Sequence, residues 1–459
     1  MKIIFVNPPH IRSKNSSPQN DFKIDQLIFK PAYKKIKFFG QLYYLAFYFL
    51  NKYFGLGDGV RYGVGAGSRW PFTMSLPMEY APYPFFMGYA AAYLKENGFE
   101  VNILDAIAEE EYKYEKFLKE VADQKADIVI VECATSTIDI AVWFANRVAT
   151  FSRVALAGPH INEITAKEIQ ENNPHIKYYL VGEYILSSLK LAQTLKEGIY
   201  PAGVVKDIDI IPFPFRDYKS ATKYYDPAMP TPKPQLAIYG SKGCPFKCTY
   251  CSWPQTMYFG NVSLRDPKKI AQEIKENVKK FSFKSIFFED ETFNLGNDRV
   301  SRLCDELKEI GLPWTMMGRL DCSPDWIFDK MVDSGCVGMR FGVESFDLDV
   351  LKIINKGIER IDFLRTIKYL SEKYPKLMLY LTIMKDIPGQ TKESQQNDMK
   401  ILAELGYRND SVYRHYQLSS CVPFPGTKMY KDLMEKKGKA SLDDFSLYDG
   451  GRDTITKKI

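Results

Sequence analysis

The sequence predicts an α/β protein: a doubly wound parallel sheet, followed by a partial parallel barrel of six β/α units. Three observations carry that prediction. Short apolar strands alternate with helical segments through the first 200 residues. The alternation breaks at a proline-rich stretch. A second alternating series then begins directly after it. Strand–helix alternation favours a parallel sheet, because each crossover helix returns the chain to the same end of the sheet and covers one face of it.

The first series runs "KIIFV" (2–6), "EVNILDA" (100–106), "ADIVIVE" (126–132), "RVALAG" (153–158) and "KYYLVG" (177–182). Each is a run of Val, Ile and Leu with no solvent-facing alternation, as a strand buried on both faces requires. "FFMGYAAAYLKENG" (85–98) has helical periodicity and stops at Gly98. Residues 1–200 form one expected domain, with an insertion at 11–80. Ligands of such sheets sit past the carboxyl ends of the strands. That singles out Asn7-Pro8-Pro9, Asp105, Thr135-Ser136, Gly158-Pro159-His160 and Gly182-Glu183.

Within 201–234, "DPAMPTPKP" (226–234) has four prolines in nine residues, which no helix tolerates, and reads as a linker. Beyond it come "QLAIYG" (235–240), "SIFFED" (285–290), "WTMMGR" (314–319), "GMRFGV" (338–343), "LMLYLTI" (377–383) and "VYRHYQL" (412–418). Six units in a row suit an incomplete barrel over 235–432, its site at the strand carboxyl ends. The charged, weakly periodic tail at 433–459 reads as a loosely attached end.

Composition narrows the function. The chain has 459 residues and a net charge of +6 with acidic residues throughout, so a dedicated nucleic-acid binder is excluded. Eight cysteines are too few for a disulfide scaffold in a chain this long and point to a reducing, cytoplasmic compartment. The apolar start, "MKIIFVNPPH", is too brief for a signal peptide. "FFGQLYYLAFYFLNKYFGL" (38–56), preceded by Lys34, Lys35 and Lys37, is too short and interrupted to span a bilayer. It suits either a buried helix within the insertion or a helix lying on a membrane surface or gripping an apolar substrate. Arg61, Arg69 and Trp70, later in the insertion, suit either substrate recognition or a plain loop.

The chemistry centres on "GCPFKCTYC" (243–251), just past the first strand of the second series. Cys244, Cys248 and Cys251 are close enough for one loop to wrap a single inorganic centre. A closed structural zinc site or an ordinary cubane cluster takes four ligands. Three thiolates leave one metal position open, which is what catalysis needs. The alternative is zinc with a distant fourth ligand such as Cys322 or Cys336, in a non-catalytic interaction module. The single cysteines Cys133, Cys304, Cys322, Cys336 and Cys421 sit in apolar contexts that suit buried thiols.

The CxxxCxxC loop resembles the signature of the radical S-adenosylmethionine (radical SAM) enzymes. "SIFFEDETF" (285–293), "SGCVGMRFGVES" (334–345), "INKGI" (354–358), "DIPGQT" (386–391) and "PFPGTKMY" (423–430) look like the subfamily with an N-terminal cobalamin-binding domain. The resemblance covers roughly residues 80–430. It implies a 4Fe-4S cluster on Cys244, Cys248 and Cys251, whose open iron is chelated by S-adenosylmethionine, and an electron-donor protein to reduce it. Electron transfer then cleaves the sulfonium to a 5′-deoxyadenosyl radical. It further implies Tyr250 near the adenine, Glu289 or Asp290 at the methionine ammonium and Arg319 at the methionine carboxylate. Glu344 and Ser345 would meet the ribose, and the Pro388-Gly389 turn would lie beside the adenine.

"PPH" (8–10), "YAPYPFFMGYAAAYLKENGFEVNILDA" (80–106) and "LAGPHINE" (156–163) are similar to the Rossmann-like cobalamin-binding domain of that subfamily. The resemblance implies corrin contacts at Pro8, Asp105, Thr135, Ser136, Gly158, Pro159, His160, Gly182 and Glu183. In the Asp-x-His-x-x-Gly motif of many cobalamin proteins, this chain keeps Asp105 but has Ile107 at the histidine and lacks the glycine. A corrin here is therefore expected to have no protein imidazole below cobalt. The implied activity is cobalamin-dependent methylation of an unactivated carbon in a small-molecule or lipid-like substrate. Radical cyclisation, ring contraction or carbon–carbon coupling on the same scaffold is the alternative.

Overall fold

The computed structural model describes residues 1–13, 60–62, 81–111, 113–357, 363–448 and 455–457. Segment 38–56, Arg69 and Trp70 lie outside them. Among the described residues no helix is long and apolar enough to cross a membrane.

The strands, in chain order, begin with β1 (Lys2–Asn7), β2 (Ile11–Ser13), β3 (Val60–Tyr62), β4 (Glu100–Asp105), β5 (Ile128–Glu132), β6 (Arg153–Ala157), β7 (Tyr178–Leu180) and β8 (Gly198–Tyr200). β2 and β3 pair antiparallel within the insertion. The others form one six-stranded sheet, β4-β1-β5-β6-β7-β8, with every pairing parallel. Alternate residues of β1 enter opposite cores. Ile3 and Phe5 pack with the helices Phe85–Glu96 and Ile185–Thr194. Ile4 and Val6 pack with Tyr114–Asp123, Ile138–Val148 and Glu163–Asn172. Burial on both faces is why these strands read as unbroken apolar runs. The edge strand β8, only the three residues Gly198–Tyr200, is too short to give that signal.

The second half adds β9 (Gln235–Ile238), the small antiparallel pair β10 (Ser241–Lys242) and β11 (Ser263–Leu264), then β12 (Ser285–Phe288), β13 (Trp314–Gly318), β14 (Cys336–Glu344), β15 (Met378–Lys385) and β16 (Arg414–Ser420). Its six-stranded sheet runs β9-β12-β13-β14-β15-β16, all parallel and in chain order. One face buries a large apolar core against the helices; Ile286, Phe288, Trp314, Met316, Phe341 and Leu381 belong to it. The other face carries Phe287, Met317, Met378 and Tyr380 and closes on Met229.

That last contact departs from the expected linker. Residues of 201–234 pack against both halves instead of tethering them. The Phe215 N–H donates to Gly88 O (2.9 Å), Arg216 lies 3.8 Å over the Tyr83 ring, and buried Asp226 pairs with Arg340 at 2.6 Å. The prolines serve a packed, irregular path. The tail departs further. Leu442 and Tyr448 are fully buried in a small core with Val422 and Tyr430, so it is no loose end. Its periodic signal is weak because few of its residues, Leu442, Leu447 and Tyr448 among them, face inward.

The halves meet across aromatic contacts. Phe85 stacks on Tyr239 with ring centroids 3.7 Å apart, and Phe86 lies 5.1 Å from Trp253. A buried ion pair joins them as well. Lys242 Nζ contacts both Glu183 oxygens (2.7 and 2.9 Å) and Val205 O (2.7 Å).

Candidate functional site

Parallel pairing brings the carboxyl ends of the second sheet to one side, and a cavity of about 220 Å³ opens there. Cys244, Cys248 and Cys251 form one wall; the ends of β13 to β16 form the others. The loop that presents the cysteines is held by its own backbone. Gln255 Nε2 donates to the carbonyls of Cys248 (3.0 Å), Thr249 (3.3 Å) and Cys251 (2.7 Å). Thr249 N donates to Ile354 O (2.9 Å) and Met429 N to Thr249 O (3.0 Å). Gly243 opens the loop with φ +81°, and a Cβ there would stand 2.0 Å from Asn261 O, so only glycine fits.

The thiols are crowded and dry. Burial pushes Cys251 well above the usual thiol range, and the neighbouring Cys248 and Cys244 push it further. Burial also raises Cys244, against a contact from Thr292 Oγ1 at 3.4 Å. Three thiolates at such a place need a bound cationic centre to offset their charge. Among the described residues no three Cys, His, Asp or Glu side chains converge on one ion-sized point.

Opposite the cysteines, β14 ends in an unusual conformation. Glu344 has φ +71°, and the β14–β15 register shifts between Gly342 and Glu344. A left-handed glutamate costs on the order of 1–2 kcal/mol and persists only where its surroundings hold it. Here one carboxylate oxygen accepts from Tyr250 OH and from Lys356 Nζ, each at 2.9 Å. A Cβ on Gly342 would fall 2.6 Å from that oxygen and 3.0 Å from Lys356 Nζ. The glycine thus makes room for the pair. Burial opposes the Lys356 ammonium, but the Glu344 carboxylate outweighs it and raises its pKa.

Arg319 lies beside this group. Its Nε and Nη2 clasp Asp321 at 2.8 and 2.7 Å, Nη2 also donates to Lys356 O at 2.9 Å, and the guanidinium covers Phe246 at 3.7 Å. Arg340, 4% exposed, stands deeper on β14 above Tyr380.

Residues 238–402 match the Radical SAM superfamily. That stretch, which contains all three clustered cysteines, is a radical SAM domain. The chain is 25% identical over 379 residues to an uncharacterized methyltransferase of Pyrococcus horikoshii, covering 76% of this chain and 78% of the relative. It is 22% identical over 432 residues to the cytidylyl-2-hydroxyethylphosphonate methyltransferase of Streptomyces wedmorensis, covering 77% and 78%. Among solved structures, the radical S-adenosylmethionine methyltransferase TsrM from Kitasatospora setae, with cobalamin and its 4Fe-4S cluster bound, superposes with a TM-score of 0.58. That likeness, at 16% identity over 77% of this chain and 75% of the other, is one of fold.

Within this radical SAM domain, some expected residues meet at the cavity and others do not. The three cysteines, Tyr250, Arg319 and Glu344 line it together. Asp290 faces away, its oxygens accepting from Gly240 N (2.9 Å) and Ser241 Oγ (2.5 Å), and so ties β9 to β12. Glu289 is buried and absent from the cavity wall. The next acid, Glu291, lines the cavity and accepts from Gly243 N at 2.8 Å. Ser345 donates to Asp398 (2.7 Å), and Pro388 and Gly389 form a turn outside the cavity wall. Sequence reasoning misses Lys356, although "INKGI" contains it. Of the other cysteines, Cys133, Cys304, Cys336 and Cys421 are buried and Cys322 is half-buried.

The first-sheet residues are largely engaged by the chain itself. Asp105 accepts from Asn7 Nδ2 (2.9 Å), Tyr224 OH (3.0 Å), Ile107 N (3.0 Å) and Ala108 N (3.2 Å). Burial raises its pKa to about 6. Ile107 is buried. Glu183 belongs to the Lys242 ion pair. Added Cβ atoms would strike Cys133 backbone at Gly158 (2.9 Å) and the Phe259 ring at Gly182 (2.6 Å), so both glycines already serve internal packing. Pro8 and Pro159 flank strand ends. Thr135 Oγ1 lies 3.3 Å from His160 Nδ1, and Ser136 is buried beside them. Burial depresses His160 to about 3, so its ring is neutral.

Proposed function

We propose that this radical SAM enzyme methylates an unactivated carbon of a small-molecule or lipid-like substrate in a cobalamin-dependent reaction. The observation that carries the reading is the three-thiolate loop facing a strained Glu344 across one cavity. The second sheet is then an open six-unit barrel, and the first a Rossmann-like cobalamin domain. Methyltransferase relatives that align over both halves support this reading.

When bound, the cluster and S-adenosylmethionine supply the hydrogen-abstracting radical, and cobalamin supplies the methyl group. The chain's residues bind and orient. Cys244, Cys248 and Cys251 hold the cluster. Glu344, fixed by Tyr250 and Lys356, presents its second oxygen to the ribose hydroxyls. The Arg319 fork is already clasped by Asp321, so we assign the cofactor carboxylate to Lys356. One of its three donors goes to Glu344. Arg319 stiffens the cysteine loop through Phe246. Glu291 takes the place expected of Glu289 or Asp290 at the cofactor ammonium. Below, Met317, Met384, Val422 and Phe424 give the substrate an apolar wall, with Thr382, Ser419 and Ser420 as polar groups beside it. Burial of the reacting centre excludes water, and an electron-donor protein reduces the cluster.

Anaerobic turnover tests the reading. S-adenosylmethionine with a reductant should yield 5′-deoxyadenosine, and a methyl donor for cobalamin should yield a product heavier by one methylene. Product lighter by hydrogen alone would instead establish cyclisation or coupling.

A further inference from the structure

We infer that residues 439–448 are a displaceable strap over the carboxyl edge of β5 and β6, and that strap and corrin nucleotide tail are alternative occupants of that edge. The inference rests on the cobalamin reading above. The strap comes after the helix Lys428–Lys437, which is anchored to the cysteine loop through Met429 N and Thr249 O. From there it crosses to the first half. Lys439 pairs with Glu168 on the helix Glu163–Asn172. The Phe445 ring stands edge-on to His160 at 4.8 Å and 77°, and the turn Phe445–Leu447 packs on the turn Thr135–Thr137. These are the strand ends at which a doubly wound sheet takes its ligand.

The two holds differ in strength. Toward its own half the strap is anchored by fully buried Leu442 and Tyr448, joined by Tyr448 OH donating to Leu442 O at 2.8 Å, and by the ring contact of Tyr448 with Phe424 at 6.2 Å. Toward the first half it offers the half-buried Phe445 ring, packed on the edge of that half's apolar core beside His160, and an ion pair whose partners are 50% and 36% exposed. An exposed pair of that kind adds little. His160 keeps its Thr135 contact if the strap lifts, so no buried polar group is stranded.

The test compares hydroxocobalamin with cobinamide, a corrin lacking the nucleotide tail, by absorbance titration of the anaerobic holo-cluster enzyme and its Phe445→Ala variant. The variant should bind cobalamin at least about fivefold more tightly, as expected when a competing state is weakened, and cobinamide unchanged. In the unsubstituted enzyme, amides of the turn 445–447 should exchange hydrogen faster once cobalamin is added. Equal cobalamin affinity in both proteins, or slower exchange, overturns the strap. If neither protein binds either corrin, the cobalamin reading itself falls.

Discussion

At the scale of single residues, the site is built from groups whose positions are costly and held by partners. Glu344 is the clearest: a left-handed glutamate at a register shift, kept by Tyr250 and Lys356. Replacing Lys356 by Met should leave the cluster intact and weaken S-adenosylmethionine binding by roughly 1.5–3 kcal/mol, the worth of hydrogen bonds to charged groups. Equilibrium dialysis measures it, and an unchanged affinity removes Lys356 from the cofactor site. Asp105 makes a separate prediction. Its folded pKa, about 6 against 3.8, means the native state binds more protons between those values. Stability therefore falls as pH rises from about 4 to about 6, by roughly 3 kcal/mol, and is flat above. Asp105→Asn should flatten that part of the difference in denaturation profiles, while retaining the oxygen that caps Ile107 and Ala108. A parallel profile in the variant would contradict the burial account.

At the scale of elements, the alternating strands and the cysteine loop are legible in sequence, because burial on both faces and CxxxCxxC are local signals. The residues just past each strand end are not. "FEDETF" offers three acids, and the strand's two-residue period ends at Phe288, so no periodicity tells which one turns inward; the turn selects Glu291. Lys356 and Asp321 are invisible for a related reason, since their roles depend on loops meeting across the cavity. The tail reads as loose because its core is made with Val422 and Tyr430, which its own periodicity cannot show. Loop geometry also gives a prediction. Gly243→Ala would press a Cβ into Asn261 O in a backbone region that L residues avoid. The displaced loop should retain less iron after anaerobic reconstitution and desalting, whereas the far helices keep their circular dichroism. Full iron retention would show that the loop tolerates the shift.

At the scale of the whole molecule, the two halves are coupled by buried groups, and function needs both. Lys242 and Glu183 are 2% and 0% exposed, and burial raises the carboxyl and lowers the ammonium even against their mutual attraction. The three oxygens around Lys242 offset part of that cost. Lys242→Met should cost about 3–5 kcal/mol by stranding a buried carboxylate, and adding Glu183→Leu should recover much of it. Denaturant midpoints compare the three proteins; a silent single substitution would mean that the interface is solvated.

The central claim is that three thiolates hold a cluster with one open iron for S-adenosylmethionine. Electron paramagnetic resonance of the anaerobically reduced protein tests it most directly, in the unsubstituted chain and in Cys248→Ala. The account predicts a reduced-cluster signal whose shape changes when S-adenosylmethionine is added, and its loss in the variant together with 5′-deoxyadenosine production. A signal indifferent to S-adenosylmethionine, or an unaltered signal and product yield in Cys248→Ala, would contradict it.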